Sequence, residues 1–162
     1  MLTSGEEHPW TLQVVTAKYS PKLPRSWNGP RVPAAAGKTY LQLYVEIRAK
    51  DEQRGGTITD QYTSFGIDHC GKPGRAGIQP TQDCSAFPLE YSGVLTADQI
   101  AAGEIDDDID SHDWAGVAEP GVSYYATLWT EMAEDTLPSE VTLCDSQQES
   151  VWNACIPVRV TS

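Results

Sequence analysis

The sequence predicts an all-β fold, a sandwich of two antiparallel sheets with one short helix. Three observations carry that expectation. Apolar residues recur at every second position in several separate stretches, the period of a half-buried strand. Clusters of Gly, Pro, Asn and Asp punctuate these stretches. Only one segment carries the chemistry that starts a helix. A chain of 162 residues is one domain's length and long enough to bury a core. The expected domain spans residues 8–162, with residues 1–7 a disordered remnant.

The first expected strand opens at Trp10, where Trp10, Leu12 and Val14 alternate with Thr11 and Gln13. The phase then slips, and Val15, Ala17 and Tyr19 continue the apolar set, which predicts a β-bulge or a strand that changes sheets. Residues 20–37, SPKLPRSWNGPRVPAAAG, are proline-rich and aperiodic, a long loop or an arm covering a sheet. The clearest strand follows at 38–50, KTYLQLYVEIRAK. Leu41, Leu43, Val45, Ile47 and Ala49 lie on one face, and Tyr40, Gln42, Tyr44, Glu46 and Arg48 on the other. DEQRGG reads as a turn, and residues 62–68 as a shorter strand with Phe65 and Ile67 inward.

The helix is signalled in LTADQIAAG. Thr96 is the N-cap and Gln99 sits at N3, a capping box; Leu95 and Ile100 fit a hydrophobic staple, and Gly103 suits the C′ position. GVSYYATLWTEM, 121–132, is the second clear strand, with Val122, Tyr124, Ala126 and Leu128 inward and Tyr125 and Trp129 outward. Val141 with Leu143, and Ala154 with Ile156, Val158 and Val160, mark the last two strands.

Cys70, Cys84, Cys144 and Cys155 allow three pairings. None forms a CxxC unit, so a zinc knuckle or a thioredoxin-like site is not expected. Each neighbouring pair encloses a short segment, and local bridges 70–84 and 144–155 are expected, hence an oxidising compartment. Register supports the second bridge. If the last two strands pair antiparallel with Cys144 opposite Cys155, then Leu143 faces Ile156 and Val141 faces Val158, so both inward sets share one face. The opening MLTSGEEHPW carries no apolar leader, and the expectation is a trimmed chain whose export signal lies upstream.

Charge excludes partners. With a net charge of −12 and a pI near 4.4, the chain lacks the basic footprint that nucleic acid requires. No apolar run approaches the roughly 20 residues that span a bilayer. Residues 104–113, EIDDDIDSHD, carry six carboxylates, half of the net charge. Asp106, Asp108 and Asp110 fall at positions 1, 3 and 5 of a Ca²⁺-loop spacing, but Ser111 replaces the turn glycine and Val117 the bidentate glutamate. A solvated acidic loop is therefore the leading reading and a Ca²⁺ site the second. His112 in that loop reads as a solvent-exposed side chain ahead of a ligand. Residues 18–38 form the opposite pole, with Lys18, Lys22, Arg25, Arg31 and Lys38 and no acid. Attraction between the two poles is the leading reading, and a partner-docking surface the second.

Four aromatics, Tyr40, Tyr44, Tyr125 and Trp129, fall on the outward phase of the two best strands. The leading reading is that the arm, through Trp27, or a loop folds over them as a satellite core; the second is a binding surface, since such rings can stack on sugars or anchor a protein. The segment CGKPGRAGIQPTQDC has the form of an inhibitor's stapled loop, with Arg75 before Ala76 as the residue a trypsin-like protease would read and Lys72 disqualified by Pro73. Signals for catalysis are thin: GxSxG, HExxH and phosphate-cradling glycine loops are missing, and Asp68 and His69 are strand neighbours that face opposite ways. No catalytic residue is expected.

The order WTLQVVTAKYS, GKTYLQLYVEIRAK, YTSFGID, EPGVSYYATLWTEM and PSEVTLC resembles the immunoglobulin-like domain of unknown function in secreted lipoproteins of actinobacteria and firmicutes. The resemblance implies an immunoglobulin-like β-sandwich and a cell-envelope module without established catalytic residues. The proline-rich arm, the cysteines and the acidic loop depart from that pattern. The expected function is non-catalytic binding of a protein or polysaccharide at a bacterial cell surface, with a secreted protease inhibitor as the alternative. The chain would be secreted, or held through a lipoprotein N-terminus.

Overall fold

The computed structural model describes residues 1–3, 10–22, 33–51, 56–58, 64–70, 84–86, 89–91, 94–101, 116–146 and 154–161. Twelve strands occur in these segments: β1 (Leu2–Thr3), β2 (Trp10–Ser20), β3 (Lys38–Ala49), β4 (Gly56–Ile58), β5 (Ser64–Asp68), β6 (Ser85–Ala86), β7 (Glu90–Tyr91), β8 (Leu95–Thr96), β9 (Gly116–Ala118), β10 (Ser123–Ala133), β11 (Glu140–Ser146) and β12 (Ala154–Arg159). One helix, α1 (Ala97–Ala101), and one 3₁₀ turn, Glu134–Thr136, complete them. The main sheet runs β1-β2-β3-β10-β7, with β8 also on β10; the second runs β12-β11-β5-β6; β4 and β9 form a separate ribbon. Every strand pair is antiparallel. The all-β sandwich is therefore the fold of the described chain.

The core lies where the two sheets face each other. Leu12, Leu41, Leu43, Val45, Ile47 and Leu128 of the main sheet meet Phe65, Ile67, Val141, Leu143 and Val158 of the second. Trp10 meets Phe65 edge to face, centroids 5.8 Å apart, an arrangement that aligns the positive ring edge with the negative face. These are the inward phases of the alternation, because a period of two sends successive side chains to opposite faces.

The phase slip in β2 is a bulge: pairing with β3 shifts between Val14 and Thr16. Val15 is the extra residue, and at 47% exposure it does not continue the buried set as the alternation implied. Ala17 and Tyr19 do, and the Tyr19 hydroxyl donates to the Pro138 carbonyl at 2.7 Å, tying β2 to the turn before β11. Burial raises the pKa of that hydroxyl.

Residues 1–7 were expected to be a disordered remnant, yet Leu2 and Thr3 pair with Leu12 and Thr11. The edge of β2 leaves backbone donors and acceptors open, and an adjacent extended segment satisfies them. The β4–β9 ribbon was not anticipated either; GTI and GVA are too short for a period to show. Two glycines adopt positive φ. In Glu119-Pro120-Gly121-Val122 the Val122 N–H bonds the Glu119 carbonyl and Gly121 has φ 75°, a type II turn that launches β10. Gly37, φ 74°, does the same before β3.

The capping box forms in both directions. The Thr96 N–H donates to Gln99 Oε1 at 2.8 Å, and the Gln99 N–H donates to Thr96 Oγ1 at 3.3 Å. Ile100, the expected staple residue, is 41% exposed, because a helix ending at Ala101 buries no side chain.

Both disulfides join the expected partners, Cys70 to Cys84 and Cys144 to Cys155. Opposite positions in β11 and β12 are Val141 with Val158, Leu143 with Ile156 and Cys144 with Cys155. The Val160 N–H bonds the Ser139 carbonyl, so alternation makes 141/158 and 143/156 hydrogen-bonded pairs and 142/157 and 144/155 the closer, non-bonded kind. A Cα separation of 4.1 Å for the cysteines fits that class. The same parity turns the nitrogen of Pro157 away from β11, toward the open edge. Two positions past Arg159 on that edge, the Thr161 N–H donates to the Ala17 carbonyl at 2.9 Å and joins the sheets. Beyond this clasp the edges of β2 and β12 diverge around a cleft of about 590 Å³, lined by residues 13–17 and 156–159 with Met1.

Candidate functional site

The outer face of the main sheet is built from side chains on β2, β3 and β10 that register brings into rows. Lys18, Gln42 and Trp129 form one row; Thr16, Tyr44 and Thr127 the next; Gln13, Glu46 and Tyr125 the third, extended by Leu95; and Thr11, Arg48 and Ser123 the fourth. The strands put these residues here because they occupy the phase opposite the core.

One end of this face is covered. Tyr40 and Trp129 are each 8% exposed and Gln42 is 4% exposed, so the covered reading holds at Tyr40 and Trp129 and the second reading, a binding surface of all four aromatics, is corrected there. The ends of the proline-rich arm are tied to this end of the face. Lys22 and Pro33 pair across its base and the Ala34 N–H bonds the Pro21 carbonyl. The Gln42 amide donates to the Lys22 carbonyl at 2.7 Å. Glu131 accepts the Ala35 N–H at 2.8 Å and the Lys38 ammonium at 2.8 Å. Trp27, Arg25 and Arg31 lie outside the described residues.

That anchorage is pH-dependent. The Ala35 N–H, then the Lys38 ammonium, hold the Glu131 carboxyl below the usual carboxylate range, with partial desolvation opposing them. A carboxyl whose folded pKa is depressed stabilises the fold above its unfolded pKa, and that contribution disappears as pH falls through the folded value. Glu131→Gln is therefore expected to melt below the wild type at pH 7, the gap closing on acidification. Melting curves from pH 7 to pH 3 check this; a gap that stays constant refutes it.

The other end is open. Tyr44 and Tyr125 are half-buried and stack on each other, centroids 5.6 Å apart and planes inclined by 10°. They are diagonal neighbours across β3 and β10, the separation at which large rings meet. Burial raises the Tyr44 hydroxyl above its ordinary pKa, and Tyr125 and Glu46 add to the shift, so it stays protonated at neutral pH. Beside the pair, Glu46 accepts the Ser123 hydroxyl at 2.6 Å and lies 3.6 Å from Arg48. A cavity of about 300 Å³ adjoins this end, lined by Thr11, Gln13, Glu46 and Arg48 together with Met1, Ala49 and Lys50. Sequence patterning placed Glu46 on the outward face but gave it no role; its signal is a carboxylate within an otherwise Tyr-, Gln- and Thr-bearing outer phase.

Among the remaining candidates, only the cysteines fall within the described residues. Cys70 and Cys84 bridge, and the His69 N–H bonds the Cys84 carbonyl at 2.8 Å, closing the loop that carries Arg75. Arg75 lies outside the described residues, as do Asp106, Asp108, Asp110 and His112. Among the described residues, no group of three His, Cys, Asp or Glu is placed to hold a metal ion, and no helix is long and apolar enough to cross a membrane. Compared with protein-family models, with curated proteins and with solved structures, the chain shows no significant match.

Proposed function

We propose that this protein is a non-catalytic binding module of an exported bacterial cell-surface protein, and that its ligand docks on the open end of the main sheet's outer face. The observation that carries the reading is the stacked Tyr44–Tyr125 pair, half-buried beside a polar cavity while Tyr40, Gln42 and Trp129 at the other end of the face are buried. Rings stacked on each other over a rigid sheet already have their rotamers fixed, so binding costs little side-chain entropy. Two disulfides suit an oxidising compartment. The resemblance to the immunoglobulin-like domain of secreted lipoproteins supports the same placement, with anchoring through a lipidated N-terminus as its finer form.

A protease inhibitor is the second reading. In its favour, Cys70–Cys84 closes a segment of 14-residue separation that contains Arg75. One set of variants separates the two. Retention of the labelled protein on bacterial envelopes is expected to fall about fivefold or more for Tyr125→Ala, since loss of an aromatic anchor removes about 1–3 kcal/mol, and to be unchanged for Arg75→Ala. Inhibition of a trypsin-like protease that vanishes in Arg75→Ala, with envelope retention indifferent to Tyr125, reverses the assignment.

A further inference from the structure

We infer that the open end of the main sheet's outer face binds a neutral carbohydrate, one sugar unit lying against the Tyr44–Tyr125 pair and its neighbour entering the cavity beside Glu46. The inference rests on the binding-module reading and names its ligand class.

The chemistry around the rings points there. A pyranose has an apolar face of C–H groups and a rim of hydroxyls, so it needs an aromatic surface bordered by hydrogen-bonding side chains. The register supplies that border. Thr16 and Thr127 flank Tyr44, and Glu46 flanks Tyr125. Leu95, on the far side of Tyr125, is the one aliphatic side chain among the described residues of these two rows. A protein partner wants a water-excluded apolar centre, which such rows do not offer.

Charge points the same way. On this face Glu46 lies 3.6 Å from Arg48 and Glu131 binds Lys38. These two carboxylates are each matched by a cation, on a molecule of net charge −12. Polyanionic glycans are repelled at long range by the net negative charge; at short range the cavity wall sets Arg48 and Lys50 beside Glu46. A neutral chain of hydroxyls avoids that repulsion. Glu46 is the hinge of the arrangement, since it borders Tyr125 and also lines the cavity of about 300 Å³. Its carboxylate carries two acceptor oxygens, and the Ser123 hydroxyl at 2.6 Å fixes its orientation. A carboxylate held this way can accept sugar hydroxyls through charge-assisted bonds.

The test is affinity electrophoresis of the full chain in gels containing a soluble β-glucan, a galactomannan or, as the anionic comparison, polygalacturonate, followed by calorimetry with oligosaccharides of the retarding polymer. At least one neutral polymer is expected to retard the protein, and polygalacturonate to leave its mobility unchanged. Tyr125→Ala is expected to weaken binding at least about tenfold, Tyr125→Phe to keep most of it, and Glu46→Gln to weaken it without altering the melting temperature by more than a few degrees. The Phe and Gln variants keep ring and volume, so they report even if the alanine variant fails to fold. Retardation by neither neutral polymer, or retardation equal in wild type and a folded Tyr125→Ala, overturns the inference. If the sugars fail while envelope retention still depends on Tyr125, only the ligand class falls. If retention too is indifferent to Tyr125, the binding-module reading falls with it.

Discussion

Leu43→Ala is expected to destabilise the protein by about 2–5 kcal/mol. Leu43 is fully buried at the centre of β3 and stands directly opposite Leu128 of β10, also fully buried, while Ala17 of β2 borders it on the other side. The side chain points into the space between the sheets, so its removal leaves a void lined by Leu, Val and Ile that the antiparallel ladders on both sides keep from collapsing. The lost transfer energy and the cavity add. A domain's whole stability is of order 5–15 kcal/mol, and the melting temperature is expected to fall by roughly 4–20 °C. Val15→Ala is the control: an exposed bulge residue is expected to change stability by less than about 0.5 kcal/mol. Equilibrium denaturation of both variants decides it, and equal midpoints would show that the sheets do not pack through Leu43.

The second large effect belongs to the Cys144–Cys155 bridge. Replacing both cysteines by alanine is expected to cost about 3 kcal/mol, the entropy of a loop of 11-residue separation freed in the unfolded chain. The double variant avoids stranding one thiol. Access separates this bridge from the other: Cys144 is fully buried whereas Cys70 is exposed. Under rising reductant, Cys70 and Cys84 are therefore expected to become alkylatable first, with Cys144 and Cys155 following only as the fold opens. Mass spectrometry of alkylated protein gives the order, and simultaneous release would contradict the burial of Cys144.

Most of the fold is legible in the sequence because its rules are local. The alternation of β3 and β10 names the core side chains, the slip at Val14 announces the bulge, the spacing of Thr96 and Gln99 encodes the cap, and a parity argument pairs Cys144 with Cys155. The candidate site is legible only in part. Periodicity says that Tyr40, Tyr44, Tyr125 and Trp129 leave the core face; it cannot say what lies over them. That depends on contacts distant in sequence, Gln42 with Lys22 and Glu131 with Ala35, and these divide the face into a covered end and an open one. Register between β3 and β10 also sets Glu46 beside Tyr125 and gives it Ser123. β1 and the β4–β9 ribbon escaped because two or three residues carry no period, and their pairing is imposed by neighbouring edges.

The outward-turned nitrogen of Pro157 bears on how copies of this molecule behave at high concentration. An edge strand with an unbroken row of N–H groups is a template on which another chain's strand can add, and then another, until the assembly precipitates. Here the template is interrupted twice on the same flank, by an imino acid that has nothing to donate and, across the cleft, by the irregularity at Val14–Thr16. On this flank, then, an added strand meets a ladder that lacks donors where it would have to pair.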